Sequence, residues 1–129
     1  MLFLPNLVLE HTSGYYTFTL VDETGAGVAD TVLNTMTLTY YDQDMQAILN
    51  GRENQDCLNT NDVLLETVYT PEVLTTVAWD IQPLDAVIVH PTRTWEVHVA
   101  IFRWTWDASR REGVHEVSFG VEHLLFVPA

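Results

Sequence analysis

Thr94–Trp106 reads T-W-E-V-H-V-A-I-F-R-W-T-W, and Glu112–His123 reads E-G-V-H-E-V-S-F-G-V-E-H. Both segments are dense in Val, Ile, Phe and Trp, which suit a pleated, half-buried surface. Asp107-Ala108-Ser109-Arg110-Arg111 lies between them and is polar enough to turn in water. The pair therefore reads as a β-hairpin. Setting Trp104 opposite Val114 places Ile101 against Val117, Val99 against Phe119 and Val97 against Val121. Side chains alternate along a strand, so these six share one face, the expected core. The other face then carries Glu96, His98, Ala100, Phe102, Trp104 and Trp106. A sheet with one wet face alternates apolar and polar residues. Here Phe102, Trp104 and Trp106 stand in a row on the second face, and something must cover them: an arm or loop of the same chain, or a partner. A slip of one residue would exchange the two faces.

The remaining chain supplies further short strands. Tyr15–Asp22 alternates, with Tyr16, Phe18 and Leu20 on one side. Glu23-Thr24-Gly25-Ala26-Gly27 reads as a turn. Leu33–Asp42 alternates again, with Met36, Leu38 and Tyr40 inward, and Gln46–Leu49 is a short continuation. Asn50–Asp62 is a polar loop opened by the turn signal Asn50-Gly51. Val63–Thr70 and Val73–Trp79 are two more strands, the second with Val73, Thr75, Val77 and Trp79 on one face. Asp80–Val89, with Pro83 near its start, reads as one or two helical turns crossing between sheets. Residues 1–10 are an edge strand or an arm on a neighbour, because Pro5 cannot donate within a central strand. Residues 124–129 are a second apolar end. The expected fold is all-β: a single domain over residues 1–129, an immunoglobulin-like β-sandwich of about seven strands with one short helical crossover. A partly open barrel is the alternative. The Cys-Trp-Cys spacing of antibody domains is absent, so the likeness is architectural.

The charge balance is lopsided. Eighteen acids stand against five arginines and no lysine, for a net charge of −13. Such a surface repels phosphate backbones and anionic lipid, so direct nucleic-acid or membrane binding is not expected. Basic partners or divalent cations are compatible. Cys57 is the sole cysteine, which rules out an internal disulfide and fits folding in a reducing cytoplasm. No run of about 18 apolar residues marks a membrane span. Leu2–Leu9 is a poor signal peptide, being short, broken by Pro5 and without a positive flank.

No reaction is legible. Cys57 has no neighbouring histidine, and Glu53 and Asp56 oppose its ionisation. Ser13, Ser109 and Ser118 lack a nucleophile-elbow context. Gly25-Ala26-Gly27 lies between strands, not at a phosphate-binding strand-to-helix junction. No two of His11, His90, His98, His115 and His123 have metal-ligand spacing, so no zinc triad is expected. Asp42, Asp44, Glu53, Asn54, Asp56 and Asp62 offer loop oxygens, but without an EF-hand run. The chain reads as non-enzymatic, with no cofactor and no resident metal. Binding surfaces are better motivated. Phe102, Trp104 and Trp106 form one candidate; Leu2, Phe3 and Leu4 with Leu124, Leu125 and Phe126 form another; Arg103, Arg110 and Arg111 concentrate positive charge at the hairpin tip. Large apolar patches on soluble domains usually mark contacts.

Five segments together carry a resemblance: Y-T-F-T-L-V-D-E-T-G-A-G-V from Tyr16, T-L-T-Y-Y-D from Thr37, I-L-N-G-R-E-N-Q-D from Ile48, H-V-A-I-F-R-W-T-W from His98, and R-E-G-V-H-E-V-S-F-G-V-E from Arg111. The pattern resembles small immunoglobulin-like structural proteins of tailed bacteriophages. The likeness spans about residues 15–123 and contains no catalytic motif. It implies a virion component of the neck, capsid surface, tail or baseplate, folded in the host cytoplasm. The implied partners are other virion proteins and further copies of the chain, met through the aromatic sheet face and the apolar termini. A carbohydrate- or host-surface-binding module using the same aromatics is the alternative expectation.

Overall fold

The structure, a computed structural model, describes residues 2–9, 12–21, 33–44, 46–57, 64–70, 74–108 and 110–122. It is all-β. The strands are β1 (Leu2–Leu9), β2 (Gly14–Leu20), β3 (Leu33–Asp42), β4 (Gln55–Asp56), β5 (Leu64–Thr70), β6 (Leu74–Ile81), β7 (Trp95–Trp106) and β8 (Arg111–Glu122). One sheet has the order β1-β8-β7-β3-β4 and the other β2-β6-β5. A 3-10 turn, Pro83–Ala86, lies in the crossover from β6 to β7, with proline at its start where no amide donor is required. Among the described residues, no helix is long and apolar enough to cross a membrane.

Alternation places most inner faces as expected. Met36, Leu38 and Tyr40 of β3 are buried, as are Phe18 and Leu20 of β2 and Val77 and Trp79 of β6. Asn50 and Gly51 both adopt positive φ (51° and 66°), the tight-turn geometry their pairing signals. The segment after that turn is stitched to β3: Tyr40 N–H donates to Arg52 O at 2.8 Å and Cys57 N–H to Met36 O at 3.0 Å. β1 is an edge strand of the molecule's own sheet, paired in parallel with β8, Leu2 opposite Val117, Phe3 opposite Ser118 and Leu4 opposite Phe119. The ladder shifts between Leu4 and Val8, the interval that contains Pro5, whose nitrogen has no proton to donate. Leu124, Leu125 and Phe126 lie outside the described residues.

The hairpin forms, but its register corrects the expected one. Trp104 pairs with Gly113, not Val114; Ala100 pairs with Val117 and His98 with Phe119. The slip of one residue exchanges the faces of β7. Phe102 (0% exposed), Trp104 (3%) and Trp106 (9%) therefore belong to the core and are not an outward-facing row. The second sheet covers them: the Phe18 ring lies 4.8 Å from that of Phe102, and the Trp79 ring lies 5.7 Å from it in an edge-on approach. Phe and Trp carry more apolar area than valine, and hydrophobic stabilisation scales with the area removed from water, so burying the rings wins over burying the valines of the opposite face. Val97, Val99 and Ile101 consequently point away from the shared core.

Candidate interaction face and buried polar cluster

β7 is apolar on both sides, and the core absorbs only one. On the outer side Trp95, Val97, Val99 and Ile101 follow one another at alternate positions. Tyr41 is Val99's register partner on β3, and Val114 is Arg103's on β8. Val99 is buried between its neighbours, Val97, Ile101 and Tyr41 are half-buried, and Trp95 (45%) and Val114 (49%) are exposed. Polar residues frame this ribbon. Thr35 and Thr105 hydroxyls share a hydrogen bond of 2.7 Å, and Arg103 lies 3.5 Å from Glu112. Arg103, Arg110 and Arg111 are all exposed at the hairpin tip, where Arg111 also approaches Asp107 at 3.6 Å. The Trp95 end opens on a groove of about 530 Å³ shared with Asp44, Arg93 and Glu96. Arg93 donates to Asp44 there, and this hydrogen bond holds the Asp44 carboxyl below its ordinary pKa.

Beneath β7, the inner face ends in a polar cluster that histidine spacing alone does not announce. Asp42 closes β3 opposite His98, and Glu96 precedes His98 by two positions on the same face. Asp42, Glu96 and His98 are buried, and one ligand atom from each lies within 4.8 Å of the others. His98 Nε2 is 2.6 Å from Glu96 Oε2, and His98 Nδ1 is 2.7 Å from the Tyr40 hydroxyl. The Tyr40 hydroxyl donates to the Asp85 carbonyl at 2.7 Å. Glu96 accepts from the backbone N–H groups of Val89 (2.9 Å) and His90 (2.8 Å), which pins the crossover against β7. His90 Nε2 lies 3.0 Å from Asp42 Oδ2. Burial lowers the His98 pKa and the nearby Glu96 carboxylate opposes that shift; burial and the Asp85 charge raise Tyr40 well above a free phenol.

Beside the cluster sits a second buried charge pair. Arg52 Nε donates to Asp85 Oδ1 at 2.6 Å and Nη2 to Oδ2 at 3.1 Å. Asn50 Nδ2 (2.9 Å) and Gln82 N–H (2.9 Å) complete the Asp85 carboxylate's shell. The pair joins the loop after β3 to the 3-10 turn and so fixes the crossover that carries Val89 and His90.

Histidine spacing does not reveal the cluster because two of its three members are carboxylates and one comes from another strand. A scan for any Asp, Glu or His at alternate strand positions would have found Glu96 and His98. Of the loop oxygens named from sequence, Asp42 alone enters the cluster; Asp44 faces Arg93, and Asp62 lies outside the described residues.

No protein-family model and no curated protein sequence matches the chain. Among solved structures, a family 123 glycoside hydrolase from Clostridium perfringens aligns with a TM-score of 0.32 and 9% identity, over 90% of this chain and 20% of that enzyme. The chain thus spans about a fifth of the length of that structure.

Proposed function

We propose that the chain is a non-enzymatic structural subunit of a tailed-phage virion. In this reading it is an immunoglobulin-like β-sandwich that assembles with other virion proteins and with copies of itself. One observation carries the reading: the outer face of β7 retains Trp95, Val97, Val99 and Ile101, an apolar ribbon on the solvent side of an already complete core. The strand orders support the immunoglobulin-like layout. With β2, β3, β5, β6, β7 and β8 as strands B, C, D, E, F and G, the neighbours G-F-C and B-E-D are reproduced, and β4 extends the first sheet beyond C as in the variable type. The interaction surface moves from Phe102, Trp104 and Trp106 to the opposite face of the same strand.

Light scattering on the purified chain, alone and with phage particles lacking it, tests the reading. Self-association or particle binding is expected, and Ile101→Glu should abolish it while leaving cooperative thermal unfolding intact. A chain that stays monomeric and binds no particle component overturns the proposal. A carbohydrate-binding module is the second reading, favoured by the exposed Trp95 ring beside the Asp44–Arg93 pair. Glycan binding that is lost in Trp95→Ala would select it instead.

A further inference from the structure

We propose that Asp42, Glu96 and His98 form a binding site for one divalent cation of the zinc class. The three donors sit on paired strands, β3 and β7, and not on loops. Asp42 and His98 are register partners, and Glu96 and His98 share a face two positions apart, so the backbone ladder sets the triangle. One ligand atom from each lies within 4.8 Å of the others; ligands of one ion at about 2.0–2.2 Å stand at most about 4.4 Å apart, so a small closing of the triangle brings all three into reach.

Two features outside the donor set point to a cation. The first is the direction of the histidine. The Tyr40 hydroxyl donates its one proton to the Asp85 carbonyl, so toward His98 it accepts, and Nδ1 carries the ring proton. Nε2 then turns a lone pair toward Glu96 Oε2 at 2.6 Å. Two acceptors that close share a positive species, a proton in the metal-free chain and the ion once it is bound. An outer partner that fixes the tautomer and leaves the other nitrogen for the ion is the usual arrangement around a ligating histidine. The second feature is charge. Asp42 and Glu96 are 1% and 2% exposed; His90 Nε2 at 3.0 Å from Asp42 and the Val89 and His90 amides on Glu96 supply hydrogen bonds, and a dication would add the balancing charge. A dication with two carboxylates and a neutral imidazole sums to zero.

The donor chemistry selects the ion. One imidazole nitrogen with two carboxylate oxygens suits zinc, manganese or ferrous iron better than calcium, which prefers an all-oxygen shell.

The test uses the full chain, freed of metal by chelator and titrated with zinc chloride by calorimetry, with elemental analysis of the dialysed complex. One zinc per chain and a raised melting temperature are expected, both reversed by chelator. Tyr40→Phe, which frees the Nδ1 side of His98, should weaken binding by about 10–100-fold, and His98→Gln by at least as much. Asp44→Asn, in the groove but outside the triangle, should leave the affinity unchanged and so separates a built site from adsorption to an acidic surface. A folded chain that takes up no zinc, manganese or iron overturns the proposal. So does zinc affinity equal in Tyr40→Phe and the parent chain, a comparison that stands even where His98→Gln does not fold.

Discussion

Trp104 lies across the β7–β8 ladder from Gly113, and its indole occupies the space that a β-carbon on Gly113 would need. This relationship explains the register. With Val114 opposite, the branched side chain and the indole would compete for one site; glycine leaves it open. Replacing Gly113 with alanine should therefore push a core ring out of place. The expected loss is about 1–3 kcal/mol, the usual range for overpacking, read as a lower urea midpoint at unchanged slope. An unchanged midpoint would mean that the indole does not depend on this gap.

Arg52 and Asp85 are both within 2% of full burial and joined by two hydrogen bonds. Removing either partner leaves a charge without compensation in the interior. Arg52→Met should cost about 3–5 kcal/mol, and Arg52→Met with Asp85→Leu should recover much of that loss. Chemical denaturation of the two variants measures both. If the double variant were no better than the single one, the bond network around Asp85, not the charge, would be the larger contribution.

His115 stacks on Phe18 with ring centres 4.3 Å apart and shares a hydrogen bond of 2.7 Å with the Tyr16 hydroxyl. Burial holds its pKa below the ordinary imidazole value. The unfolded chain therefore takes up this proton first as the pH falls. Stability from this group is complete above about pH 6.5, the free-imidazole value, and is lost as the pH drops from there through the lower folded value. An NMR titration should place the His115 midpoint below 6.5, and His115→Gln should flatten the fall in melting temperature over that window. A midpoint at or above 6.5 would contradict the burial argument.

Cys57 is 1% exposed, and its thiol is pushed up to about 12, first by burial and then by the Asp56 charge. The thiolate is the reactive form. Iodoacetamide at pH 8 should accordingly leave the folded chain unmodified over hours and alkylate it within minutes in urea. Mass spectrometry resolves the two cases; rapid labelling without denaturant would show the β3–β4 edge opening on its own.

Much of this architecture is written locally. The alternation Met36, Leu38, Tyr40 and the alternation Phe18, Leu20 each admit one buried face, because the intervening positions are threonine. Asn50-Gly51 marks its turn because both residues tolerate positive φ, and Pro83 marks the start of a helical turn because that position has no use for an amide proton. Local chemistry of this kind settles which segments are strands and where the chain reverses. It does not settle β7, where Val97, Val99 and Ile101 compete with Phe102, Trp104 and Trp106 for the interior and a period of two is satisfied either way. That choice belongs to the tertiary structure: the second sheet presents Phe18 and Trp79, which mate with large rings, and β8 presents Gly113, which admits an indole. The triangle of Asp42, Glu96 and His98 was equally hidden, because it exists only once β3 pairs with β7 in this register and brings distant positions of the chain side by side.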